Sequence, residues 1–161
     1  MKTIIFVLMF AISGFAQSDK ARVDLIKKET ASLRAVVQDA ISSLAPNAET
    51  LESPKATYLE GYGVVVTLYV KLGPRPGNPF NGFKSPQEIK AGAEKGRKDL
   101  QEKMEALLKQ RSGTMESVST NESVSIVIYL LPIPADLPEL PAQLILTAKK
   151  QDPTTVTLRE F

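Results

Sequence analysis

The chain has 161 residues, is 43% hydrophobic and 24% charged, and sets 20 Lys and Arg against 18 Asp and Glu. It contains no Cys, no His and no Trp. Those absences exclude Ser/His/Asp and Cys/His catalysis, zinc held by Cys or His, iron–sulfur clusters, haem held by His or Cys, and disulfides.

Residues 1–16, MKTIIFVLMFAISGFA, place one positive charge at Lys2 before an apolar run from Ile4 to Ile12, then the small residues Ser13, Gly14 and Ala16. This is the layout of a secretory signal peptide, with the cut expected after Ala16. The run is far shorter than the roughly 20 residues a membrane-spanning helix needs, so the mature chain is expected to be secreted or periplasmic and not an integral membrane protein. The remaining residues, 17–161, suit a single domain held by packing alone. Their near-neutral charge gives no electrostatic case for nucleic acid.

From Ser18 to about Ser43, Val23, Ile26, Leu33, Val37, Ile41 and Leu44 recur at three- and four-residue steps, widened by Leu25 and Val36. The spacing predicts an amphipathic helix that stops before Pro46 and Asn47. Residues 57–72, TYLEGYGVVVTLYVKL, predict one long strand with Tyr58, Tyr62, Val64, Val66, Leu68, Val70 and Leu72 on a single face. Gly61 and Gly63 point to a bulge or a close backbone approach at its start.

Residues 73–84, GPRPGNPFNGFK, hold three Pro and three Gly and read as loop. A second helix opens at Ser85-Pro86-Gln87-Glu88, where Ser85 can cap, Pro86 fits the first helical position and Glu88 can close a capping box. It runs to about Arg111, with Ile89, Ala93, Leu100, Met104, Leu107 and Leu108 inward and Gly113 as its stop. Glu94 with Lys98, Asp99 with Lys103 and Glu105 with Lys109 stand at pairing distance along its outer face. Gly92 and Gly96 each cost it about 1 kcal/mol relative to Ala, which points to fraying or to close packing.

Val124, Ile126, Ile128 and Leu130 alternate with Ser123, Ser125, Val127 and Tyr129 in a second strand. Residues 132–141, PIPADLPELP, read as an extended connector. Strands at 142–149 and 154–159 complete the chain around a turn at 150–153. The order α-β-α-β-β-β predicts an α+β two-layer sandwich, two amphipathic helices on one face of a small mixed four-stranded sheet, with the first two strands parallel across the helical connection.

Two segments stand out as candidate sites. In YLEGYG, Glu60 lies between Tyr58 and Tyr62. On their face of a strand it would be a buried carboxylate able to serve as general acid/base or as an oxygen ligand for calcium or magnesium, whereas at the exposed strand end it would be an ordinary surface acid. The second is the 73–84 loop, where Phe80 and Phe83 beside Arg75 and Lys84 could anchor a partner or fold back onto the core. Asn121-Glu122-Ser123 is a glycosylation sequon, meaningful only in a eukaryotic secretory route. No metal site, no cofactor and no catalytic constellation is readable.

The leader, the first helix and YLEGYGVVVTLYV at 58–70 together resemble a group of uncharacterised secreted bacterial proteins sharing a "LEGYG" strand. The later capped helix and alternating strand follow in similar order. The resemblance implies a bacterial envelope location and brings no activity, substrate or catalytic residue with it. The expectation is a non-catalytic exported domain that binds an envelope protein or a small ligand through Tyr58, Glu60, Tyr62, Phe80 and Phe83. The alternative is an acid/base or metal-dependent enzyme using Glu60 with Tyr58 or Tyr62.

Overall fold

The computed structural model describes residues 5–73, 85–131 and 140–161, with side chains from Asp19 onward. In chain order the elements are α1 (Ile5–Ser42), β1 (Ala48–Thr50), β2 (Lys55–Leu59), β3 (Gly63–Leu72), α2 (Pro86–Arg111), β4 (Ser123–Leu130), β5 (Gln143–Lys149) and β6 (Asp152–Glu160). Both helices pack on one face of a mixed sheet, so the fold is α+β as expected. Among the described residues no helix is long and apolar enough to cross a membrane.

Among the described residues the sheet has six strands, not four. Its order is β1-β3-β4-β5-β6, with β2 sharing the outer edge of β3 with β1. The expected single strand over 57–72 is a hairpin. Unbroken Tyr, Leu and Val hide the turn, but Gly61 at φ +77° and Gly63 at φ +112° adopt backbone conformations that side-chained residues resist, and they fold Lys55–Leu59 back antiparallel to Gly63–Thr67. Strand β1 is three residues long, too short for an alternating pattern to register.

Strands β3 and β4 are parallel, as the helical connection requires, and pair from Gly63↔Ser123 to Val70↔Leu130. The remaining pairs are antiparallel. Gly63 is the close approach anticipated from sequence: a Cβ there would stand 2.0 Å from the Ser123 carbonyl oxygen.

Even-numbered positions of β3 and β4 face the helices. Val64, Val66, Leu68, Ile126 and Ile128 are fully buried against Val37 and Ile41 of α1 and Leu100, Met104 and Leu108 of α2. Leu33, Val37, Ala40 and Ile41 of α1 pack this way, whereas Val23 is 46% exposed.

Helix α2 begins with the anticipated capping box: Ser85 Oγ accepts from the Glu88 N–H at 3.3 Å, and Glu88 Oε2 accepts from the Ser85 N–H at 2.7 Å. Gly96 is the packing glycine, because a Cβ there would meet the Asn47 carbonyl oxygen at 2.4 Å. On the outer face Lys109 reaches Glu105 at 2.7 Å, while Lys98 lies 4.0 Å from Glu102. Gly113 is not a left-handed stop; it sits inside a short 3-10 turn, Ser112–Thr114, that continues the helix.

The loop after that turn is clamped from two sides. Glu29 of α1 accepts from the N–H groups of Glu116 and Ser117 at 2.8 and 2.9 Å, and Lys150 donates to the carbonyls of Gly113, at 2.9 Å, and Met115.

Gly63→Ala should cost more than about 3 kcal/mol, because it adds a backbone clash to a forbidden φ. Gly61→Ala, with open space around its Cβ position, should cost about 1–2 kcal/mol from φ alone. Urea unfolding of both variants distinguishes the two effects; equal losses would mean that the contact with Ser123 contributes nothing.

Candidate functional site

The β2–β3 turn meets the start of β4 around one buried carboxylate. Glu122 is 4% exposed. Its Oε1 accepts from the Tyr58 hydroxyl at 2.9 Å and the Gly61 N–H at 3.0 Å, and its Oε2 from the Ser119 N–H at 2.8 Å. Arg22 of α1 donates to the Tyr58 hydroxyl at 2.9 Å and lies 5.8 Å above its ring.

Local sequence explains each position. Tyr58 pairs with Val64 and so faces the helices, the turn closes through the Tyr62 N–H on the Leu59 carbonyl, and Glu122 is held over Ser119 by its own N–H on that residue's carbonyl. Burial alone would raise the Glu122 pKa, but the donors from Ser119, Tyr58 and Gly61 outweigh it and hold the carboxyl below its ordinary value. Burial and the adjacent Glu122 carboxylate push the Tyr58 hydroxyl above its own. With both oxygens occupied by protein donors, Glu122 is an anchor and not an available base.

The sequence-predicted residues do not converge. Tyr58 faces the helical layer and bonds Glu122. Glu60 is exposed in the turn, where the chain reverses, which is the surface-acid reading of the two and not the buried one. Tyr62 leaves the core face too: 47% exposed, it reaches over the opposite side of the sheet. Phe80 and Phe83 lie outside the described residues. Among the described residues, no three acidic side chains gather closely enough to hold a metal ion.

That opposite side is formed by the odd-numbered positions, and among the described residues no helix lies over it. Tyr69 and Tyr129 stand in register on parallel neighbours, their rings stacked with centroids 5.0 Å apart and planes 18° apart, each a little over one-third exposed. Val65, Val127 and Ile145 are half-buried around them. Toward the other end the Tyr62 hydroxyl lies 3.1 Å from Ser125 Oγ, which lies 2.9 Å from Thr147 Oγ1, a hydroxyl chain running from the turn across β4 to β5.

Beside this chain opens a groove of about 550 Å³, lined by Tyr62, Ile145, Thr147, Lys149, Asp152, Thr155, Thr157 and Arg159. Asp152 accepts hydroxyl hydrogen bonds from Thr155 and Thr154, which lower its pKa. A hollow of about 600 Å³ where α1 ends is lined by Ile41, Pro46, Thr50 and, among the described residues, one ionisable side chain, Glu49.

Sequence reasoning missed Glu122, hidden in a sequon at a strand start, and the Tyr69–Tyr129 pair. The available signal was that each tyrosine falls among the non-core positions of an alternating strand.

Stability should form a plateau bounded by the two shifted groups. The depressed Glu122 pKa stabilises the fold above the unfolded value of 4.5 and that contribution fades as pH falls through the lower folded value; the raised Tyr58 pKa stabilises it below 10.0 and fades as pH rises through the higher one. Glu122→Gln turns an acceptor against the Ser119 N–H into a donor, so it should cost about 2–4 kcal/mol at pH 7 and flatten the acid limb, whereas Tyr58→Phe should cost about 1 kcal/mol and flatten the alkaline one. Urea midpoints from pH 3 to 11 test both, and an unchanged acid limb in Glu122→Gln would remove Glu122 from this role. Compared with known proteins, the chain matches no family model, no curated protein and no solved structure.

Proposed function

We propose that this is a non-catalytic exported domain that acts by binding through the open face of its sheet. One observation supports the reading above the others: a sheet whose core face is closed by two helices leaves Tyr62, Tyr69 and Tyr129 on the uncovered face, together with half-buried Val65, Val127 and Ile145. Three of the chain's four tyrosines stand there. Aromatic groups with a polar tip, set among aliphatic side chains, are the composition of binding surfaces and not of a solvated sheet face.

Binding is favoured over catalysis because Glu60 is exposed and both tyrosines a reaction there would recruit are engaged elsewhere, Tyr58 giving its hydroxyl to Glu122 and Tyr62 bonding Ser125 Oγ. The export half of the proposal rests on the leader pattern of residues 1–16 and on the resemblance of YLEGYG to secreted bacterial proteins.

Fluorescently labelled protein should sediment with a bacterial envelope preparation. The double variant Tyr69→Ala/Tyr129→Ala should stay in the supernatant, with stability lowered by no more than about 1–2 kcal/mol because both rings are partly solvated. A folded double variant that sediments as well as the parent would rule out this face.

A further inference from the structure

We infer that the groove at the Tyr62 end of the open face binds an acidic oligosaccharide, a polymer of uronic acid units. The inference rests on the binding role proposed for that face and names the ligand class.

Charge is the first argument. Lys149 and Arg159 project into the groove from neighbouring strands, and among the described residues neither has a hydrogen-bonded or ion-paired side-chain partner. By contrast, Arg97 pairs with Glu160 at 2.5 Å, Lys55 with Glu52 at 3.0 Å, and Lys150 holds loop carbonyls. Two uncommitted cations in one concavity of a nearly neutral chain favour an anionic occupant.

The rest of the lining narrows the class. Asp152, hydrogen-bonded by Thr154, adds a negative charge to the wall, so a compact anion filling the groove would be repelled by it. A ligand that carries carboxylates and hydroxyls at separate positions satisfies both signs: carboxylates meet Lys149 and Arg159, and hydroxyls donate to Asp152. Thr147, Thr155 and Thr157 add hydroxyls to the wall, and the 47%-exposed ring of Tyr62 offers an apolar face for the C–H side of a sugar. An acidic peptide supplies the carboxylates and can offer Asp152 its N–H groups, but it brings no sugar-ring C–H face for Tyr62. A second copy of this chain docked about a two-fold axis through the groove would set Lys149 and Arg159 against the same cations. The volume of about 550 Å³ falls within the range of small-molecule sites.

Calorimetric titration of the full chain with hexaguluronate tests the inference, with cellohexaose and hexaglutamate as the neutral and the peptidic comparisons. Hexaguluronate should bind at least tenfold tighter than either, with affinity falling as salt is raised. Lys149→Ala and Arg159→Ala should each weaken it about threefold to tenfold without changing the thermal midpoint. Tyr62→Ala should weaken it further, and Tyr62→Phe should retain most of the affinity.

Equal binding of hexaglutamate would overturn the saccharide in favour of an acidic peptide. Unchanged affinity in both cation variants would overturn the groove. No binding of hexaguluronate, while Tyr69→Ala/Tyr129→Ala still abolishes envelope sedimentation, would overturn the ligand class and leave the open face as the binding surface.

Discussion

A single buried carboxylate organises the end of this sheet. Taking Glu122 out of water costs several kcal/mol unless hydrogen-bond donors replace the lost solvent, and among the described residues no cation pairs with it. The donors come from three separate stretches of chain: the hydroxyl of a β2 side chain, the backbone of the β2–β3 turn, and the loop that precedes β4. Each must be in place for the others to be useful, so the constraint is cooperative. Arg22 then extends it to α1 by holding the far side of the Tyr58 hydroxyl. The open face depends on this arrangement, because the turn that places Gly61 on Glu122 also throws Tyr62 over Ser125 and brings Gly63 against Ser123.

Most of the fold was legible because it is written in period. The four-residue rhythm of α2 and its Ser85–Glu88 box carry their own boundaries, and alternation in β4 separates Val124, Ile126 and Ile128 from Ser125, Val127 and Tyr129 with almost no ambiguity. Legibility failed where a boundary depends on backbone conformation and not on side-chain pattern. Tyr58 and Tyr62 share a parity, and in one strand they would share a face; two glycines with positive φ separate them onto opposite sides of the sheet. The same reversal decides between the two readings of Glu60: the chain turns back there, so it is the exposed surface acid and not the buried carboxylate. Glu122 was invisible because its partners lie more than sixty residues away at Tyr58 and Gly61, and no local pattern encodes a tertiary acceptor.

The open face persists for a comparable reason. A sheet side left bare by its helices is either polar throughout or reserved for contact. Here hydroxyl residues such as Thr57, Thr67 and Thr157 alternate with aliphatic and aromatic ones, which keeps the surface wettable while leaving patches that gain from being covered. The charged groove occupies the end governed by Glu122 and the stacked tyrosines the other, so the two ends differ in chemistry although they share one sheet.

The Tyr69–Tyr129 stack also has a consequence for observing the molecule. A chain without tryptophan owes its near-ultraviolet signal chiefly to tyrosine, and two of its four tyrosines are held ring to ring across the one parallel pair of strands. Slipping β4 by one residue against β3 would send the rings to opposite sides and end their coupling. The protein therefore contains a built-in optical reporter for the alignment of its two central strands, readable without label or substitution.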